Sequence, residues 1–280
     1  MIKSLMVFTD GSENAAVAGR YGMALATGLR ARLIGCHVLD IRTLEGPLMA
    51  DVSGWLGAQP YSGQVAQFRT LLEHRAEALL AAFQKDCTEA GLDAEITLRT
   101  GYPARMILDE EARAELIILG QRGEHAEQSG EMIGSTVERV IRHSIKPCLV
   151  TPTTFRPIQK ILVAFDGSDV SSKALREAIE LALALHLPLV LLTVAEENAQ
   201  ERARAIAEEG MQLVRAHECA AAHLVVSGRA DQVILTQAEE LGCDLIVVGA
   251  YGHSRIREMI LGSTTQNLVA RSHTPVLLVR

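Results

Sequence analysis

The chain reads as an α/β protein in which one unit of alternating strands and helices is written twice. Three observations predict this. Short apolar runs alternate with amphipathic stretches in the order β-α-β-α-β-α-β-α-β, and that order then repeats. The first strand of each copy runs into the same turn, Asp10-Gly11-Ser12 or Asp166-Gly167-Ser168. The fourth strand of each copy runs into a glycine-bearing segment. Alternating strands and helices imply a parallel sheet covered by helices on both faces.

The elements follow in order. Ile2 to Phe8 and Ile161 to Phe165 are apolar first strands. The Asp, Gly and Ser after them supply turn and N-cap chemistry. An Ala-rich helix comes next; in the second copy Ala174, Leu175, Ala178, Ile179, Ala182 and Leu185 mark one face. The second strands end at Cys36–Asp40 and Leu192–Glu196, with Val38 and Val194 equally spaced from Asp10 and Asp166. Long helices are expected over about 64–89 and 199–218, and third strands over 94–99 and 223–226, with Gly101 and Gly228 at their exits. A third helix leads in each copy to the fourth strand, ending at Gly120 or Gly249. A last helix and strand close each copy, at Thr151 and Arg280. The expected domains are 1–153 and 157–280.

Composition bounds the function. The 280 residues suffice for two ordinary domains, and 48% hydrophobic with 4% aromatic content predicts an aliphatic, Ala-rich core rather than disorder. A net charge of −7 argues against a nucleic-acid groove but permits a local anion site. The five cysteines, none in a C-x-x-C pair, read as buried free thiols and fit a reducing cytoplasm. The longest apolar run, 181–195, contains His186 and Pro188 and reads as a helix end followed by a strand rather than a membrane span.

The chemistry is concentrated after the fourth strand of the second copy. Gly249 and Gly252 are followed by a nine-residue spacer, then Gly262-Ser263-Thr264 at the start of a helix. Glycines let main-chain N–H groups approach an anion, and a helix start adds unpaired N–H groups and the positive end of its dipole. The segment therefore reads as a phosphate cradle, with a tightly packed strand-to-helix turn as the plain alternative. It is neither a Walker loop, since Gly-Lys-Ser/Thr is missing, nor the Gly-x-Gly-x-x-Gly dinucleotide fingerprint. In a doubly wound sheet the ligand lies beyond the carboxyl ends of the strands where strand order reverses, and the ends of the first and fourth strands carry Asp166 and Gly249.

With these residues in place the chain resembles a tandem universal stress protein over essentially its whole length. The second copy carries the family pattern Gly-x2-Gly-x9-Gly-Ser/Thr, with the aspartate after its first strand. The resemblance implies two doubly wound five-stranded parallel sheets of order 3-2-1-4-5, flanked by helices. It also implies pairing of the two halves through their last strands as an intramolecular pseudo-dimer, with a homodimer as a further option. It implies ATP binding, with AMP, ADP or another anionic ligand as alternatives. Asp166 would then meet the ribose and the backbone of Val194 the adenine edge. Gly249, Gly252, Gly262, Ser263 and Thr264 would hold the phosphates, and Mg2+ would sit on phosphate oxygens. His253 and Arg255, within the spacer, can touch phosphate or simply face solvent, as can Arg257.

The first copy departs from this pattern. Gly120 and Gly123 are followed by ten residues before Gly134-Ser135, and the spacer holds Glu124, Glu127 and Glu131 with no arginine. Such carboxylates within ~5 Å of a triphosphate oppose it by about 1–3 kcal/mol at an effective dielectric near ~20. Asp10 and Val38 remain, so a weakened or repurposed first site is expected. The first copy also carries an insertion over about 40–64, containing the single tryptophan, Trp55. It reads either as a lid or protein-partner contact anchored by Trp55, or as a loop packed on its own domain. His37 reads as a satisfied strand-end histidine rather than a metal ligand.

No catalytic or metal-ligating constellation is evident. Phosphoryl transfer needs a base and charge neutralisation at the γ-phosphate, so slow ATP hydrolysis is the most the sequence suggests. The expected function is a nucleotide-dependent stress-response or signalling protein with ATP mainly in the C-terminal domain. The alternatives are an interaction scaffold with vestigial sites and a weak ATPase.

Overall fold

The computed structural model describes residues 2–45, 62–123, 133–196, 199–250 and 262–280. The first half contains strands β1 (Ser4–Phe8), β2 (Arg32–Asp40), β3 (Ala94–Gly101), β4 (Leu116–Gly120) and β5 (Cys148–Thr151). Between them run helices α1 (Glu13–Leu29), α2 (Ile41–Glu45), α3 (Ser62–Glu89), α4 (Pro103–Glu110) and α5 (Ser135–His143). The second half contains β6 (Ile161–Ala164), β7 (Leu189–Ala195), β8 (Ala221–Ser227), β9 (Leu245–Gly249) and β10 (Val276–Val279). Its helices are α6 (Asp169–Leu185), α7 (Gln200–Ala216), α8 (Ala230–Glu240) and α9 (Ser263–Arg271).

Each half has the order 3-2-1-4-5, and the two sheets are continuous: β3-β2-β1-β4-β5-β10-β9-β6-β7-β8. Pairing is parallel within each half. The junction is antiparallel, with Leu277 opposite Leu149 and Val276 opposite Val150. Both junction strands are buried along their whole length. An apolar strand covered on both faces cannot remain an edge, so each supplies the other's missing neighbour.

Alternating side chains divide the core between the two faces of the sheet. Leu5, Val7, Leu33 and Ile118 pack with α1, α3, α6 and α7 on one face. Met6, Phe8, Ile34 and Ile117 pack with α4, α5, α8 and α9 on the other. Each cluster runs through both halves. All five cysteines are free and buried, and burial pushes the Cys36 and Cys148 thiols up to about 12, far from the thiolate state that reacts.

The seam between the halves has polar as well as apolar contacts. Leu185 of α6 lies against α1 where a Cβ on Gly28 would approach its Cδ2 to 2.5 Å. Between β5 and β6, Phe155 stacks at a tilt on Tyr21 with centroids 4.7 Å apart, and Arg156 donates its N–H to the Tyr21 hydroxyl at 3.0 Å. Gln121, just past β4, donates through Nε2 to the Ala270 carbonyl at 2.8 Å and also to that of Val269. Arg280 donates through Nη2 to the Arg142 carbonyl. The last turn of a helix leaves carbonyls without intrahelical donors, and here α5 and α9 each receive a donor from the opposite half.

Candidate functional site

In the second half, β6 and β9 lie side by side, Val163 opposite Val247. Both strands end where the chain passes to opposite faces of the sheet. Beyond β6, Asp166 Oδ1 accepts the Ser168 N–H at 3.0 Å, and Ser168 Oγ accepts the Ser171 N–H at 3.1 Å as N-cap of α6. Gly167 between them has φ +78, a left-handed conformation that glycine adopts without steric cost.

Gly249 ends β9 against the first turn of α6. A Cβ there would lie 3.1 Å from both Ser171 N and the Val170 carbonyl carbon. Gly249 is thus needed for close strand–helix approach. Gly262 differs: it is the N-cap of α9, and a Cβ there would meet no described residue within 4 Å. Ser263 is exposed and Thr264 half-buried, and their hydroxyls flank the helix start. Thr265 instead turns inward, donating to the Ala250 carbonyl at 3.4 Å.

The register of β7 places Val194. Leu192 O accepts the Phe165 N–H at 2.9 Å, so Leu192 faces β6; Ala195 O accepts from Gly228 N at 3.1 Å, so Ala195 faces β8. Main-chain groups alternate sides along a strand. Those of Val194 therefore face the β6 side, beyond Ala164, where that strand has ended. The fold thus gathers Asp166, Val194, Gly249, Gly262, Ser263 and Thr264 at one end of the sheet. Gly252, His253, Arg255 and Arg257 lie outside the described residues.

The first half repeats the frame. Asp10 Oδ1 accepts the Ser12 N–H at 3.0 Å, and Ser12 Oγ accepts the Ala15 N–H at 3.1 Å. Cys36 O accepts the Thr9 N–H at 2.9 Å, which gives Val38 the same outlook as Val194. His37 is buried and its Nδ1 donates to the Thr9 carbonyl at 2.6 Å; a carbonyl only accepts, so Nδ1 carries the proton. Gly120 packs on α1 as Gly249 packs on α6, its Cβ position 2.9 Å from the Asn14 carbonyl.

The glycine segment of the first half is described in part. A Cβ on Gly123 would lie 2.6 Å from Asp10 Oδ2. Gly134, N-cap of α5, donates its N–H to the Gln121 carbonyl at 3.1 Å and lies against Gly123. Residues 124–132 and the centre of the insertion with Trp55 are outside the described residues. Ser135 begins α5 as Ser263 begins α9.

Flanking the second-half site, Asp231 of α8 ties that helix to α9. It accepts from Asn267 Nδ2 at 2.9 Å and from Arg229 Nη2 at 3.0 Å. Burial alone would raise its pKa, but these hydrogen bonds outweigh burial and hold the carboxyl below its ordinary range. Near the first site, Glu110 accepts from Arg99 Nε at 2.5 Å and Arg113 Nη1 at 2.7 Å. It too is held low: burial opposes ionisation and the two guanidinium partners overcome it. The Asp231 tie and the seam donors Gln121 and Arg280 were not singled out by sequence reasoning. A position-by-position comparison of the repeats would have flagged Gln121, because Ala250 stands at its place. Among the described residues, no group of three or more His, Cys, Asp or Glu could hold a metal, and no helix is long and apolar enough to cross a membrane.

A model of the Universal stress protein family matches residues 1–152 and 157–280. A universal stress protein of Synechocystis sp. is 33% identical over 288 residues, covering 100% of both chains. One of Bacillus subtilis is 34% identical over 145 residues, covering 43% of this chain and 98% of its own. Among solved structures, a universal stress protein from Archaeoglobus fulgidus superposes with a TM-score of 0.74 at 21% identity, covering 98% of this chain and 97% of that one. With the fold written twice, each copy matched by the family model, and a relative aligned from end to end, the chain belongs to the universal stress protein family.

Proposed function

We propose that the protein is a nucleotide-dependent stress-response or signalling protein that binds ATP mainly in its C-terminal half. The observation that carries this reading is the start of α9 at this end of the sheet: Gly262 caps the helix with no described residue within 4 Å of its Cβ position, and the Ser263 and Thr264 hydroxyls stand beside the first helix N–H groups. That end of a helix attracts phosphate. At the same end of the sheet, Val194 presents an N–H and a carbonyl, the donor and acceptor that an adenine edge needs, and Asp166 can accept from ribose hydroxyls. These groups fit an adenine nucleotide. Mg2+ would neutralise part of the phosphate charge while held by phosphate oxygens. Signalling follows if the nucleotide prefers one conformation of the surface around it, since a ligand of equal affinity for two states shifts neither.

Calorimetry of ATP binding tests this. Wild type is expected to give a binding heat that Gly262→Val removes, while stability changes by only about 1 kcal/mol, the scale of an N-cap substitution. Mass spectrometry of nucleotide released from purified protein distinguishes ATP from AMP or ADP. A wild type that gives no heat and releases no nucleotide ends the reading. Phosphate release is expected to be slow and to disappear in the same variant.

A further inference from the structure

The two ends of α9 are held by different halves of the molecule. The helix has nine residues, about 13 Å at 1.5 Å per residue, so it moves as one body. Near its start, Thr265 Oγ1 donates to the Ala250 carbonyl at 3.4 Å. At its middle, Asn267 Nδ2 donates to Asp231 at 2.9 Å. At its end, Gln121 Nε2 donates to the Ala270 carbonyl at 2.8 Å and to that of Val269. The first two bonds come from its own half, the last from the other.

Gln121 is buried, and its main chain is tied to its own half. Its N–H donates to the Thr151 carbonyl at 2.9 Å, and its carbonyl accepts the N–H of Gly134, the cap of α5, at 3.1 Å. One residue thus joins the end of β5, the cap of α5 and the last turn of α9. Ala250, at the same place in the second repeat, keeps the main-chain bond, to the Val279 carbonyl at 2.7 Å, but has no side chain to send across. The end of α5 receives Arg280 instead, from beyond the last strand. The link therefore runs one way, from the glycine segment of the first half to the last helix of the second. The carbonyls that Gln121 holds are the negative end of α9, and the N–H groups at Ser263 are its positive end. A buried donor at one end stabilises the charge separation that attracts an anion to the other.

We propose that Gln121 controls nucleotide affinity in the second half from the first: by holding the last carbonyls of α9, it positions the Ser263 end of that helix for phosphate. This rests on the reading that ATP binds at the start of α9. Gln121 is a positioning residue that touches no nucleotide. Asp231 holds α9 at Asn267, its midpoint, so a tilt that releases Val269 and Ala270 from Gln121 also displaces Ser263 and Thr264. Coupling between binding events is reciprocal. Nucleotide held at Ser263 therefore secures the Gln121 bond and, through the Gln121 carbonyl, the cap of α5.

Calorimetric titration of the full chain with ATP, well below its unfolding temperature and paired with urea unfolding, tests the proposal. Gln121→Met keeps the length of the side chain and removes the donor. It is expected to weaken ATP binding about fivefold, the lower end of coupling between sites. Gln121→Lys restores a donor, with a charge that suits a helix C-terminus, and is expected to recover wild-type affinity. Arg280→Ala takes a seam donor from α5 instead of α9. It is expected to lower stability and leave ATP affinity as in wild type. A merely structural Gln121 would behave as Arg280 does. If Gln121→Met does not fold, Gln121→Asn, which withdraws the amide by one methylene, decides by the same criterion. Folded Met or Asn variants that bind ATP as wild type does, a lysine variant as weak as the methionine one, or an equal loss in Arg280→Ala each overturns the proposal and leaves the ATP reading standing. Wild type that binds no ATP ends both.

Discussion

The two halves share a backbone plan yet treat the ground around their last helices in opposite ways. In the second half, Asp231 ties α8 to α9 and bridges the groove between them. In the first half, Gly123 and Gly134 close on one another beside Asp10, while Ala104 leaves the groove between α4 and α5 open. A duplicated fold can keep its sheet, caps and glycine turns and still relocate its accessible polar surface through a few side chains. The strand and helix framework tolerates this because α4, α5, α8 and α9 each keep apolar residues packed in the layer on that face of the sheet.

The sharpest way to break the comparison is to confuse the two kinds of glycine. Gly249→Val must displace main-chain atoms of α6 and is expected to cost about 2–3 kcal/mol in urea unfolding, the range for overpacking a core. Gly120→Val should cost a similar amount in the other half. Equal effects of Gly249→Val and Gly262→Val on stability would remove the distinction between a packing glycine and a capping one.

Asp231 comes next. Asp231→Ala leaves Asn267 without its acceptor and is expected to lose about 1–2 kcal/mol. Because the folded carboxyl titrates below its ordinary range, its stabilisation is present above the unfolded pKa and is lost as pH falls through the lower folded value. Asp231→Asn should therefore flatten the acid limb of the stability curve. Glu110→Gln should flatten it too, because Glu110 is lowered in the same sense. An unchanged acid limb in both variants would refute the assignment.

The smallest expected effect is at the seam. Gln121→Ala removes a buried donor from the α9 carbonyls and is expected to cost about 1 kcal/mol. The equivalent second-half substitution, Ala250→Gln, has no such carbonyl to gain if the seam is as asymmetric as Gln121 and Arg280 make it. A stabilising Ala250→Gln would show that the capping is interchangeable.

The sequence displayed whatever is local. Strand and helix order, the Asp-Gly-Ser turns and the apolar face of α6 follow from short-range periodicity and turn chemistry, and the structure has all three. The wider strand limits, such as β3 reaching Gly101 and β8 beginning at Ala221, shift by a few residues because pairing with the neighbouring strand extends an element past its strongest local signal. The continuous sheet was expected only through the family resemblance, since no local pattern in β5 states that β10 will pair with it. Gln121 and Val269 are distant in sequence, so their contact has no short-range trace. The glycines of the motif look alike as letters, and only the atoms around Gly249 and Gly262 separate their roles.

The antiparallel meeting of Leu149 and Leu277 has a consequence for how the molecule would respond to being cut. The peptide around Phe155 joins the halves covalently, but the sheet and both hydrophobic layers also cross from one to the other. Cleavage there should leave a tight complex of two fragments that elutes as one species. The same two pieces, made as separate polypeptides, should find each other when mixed.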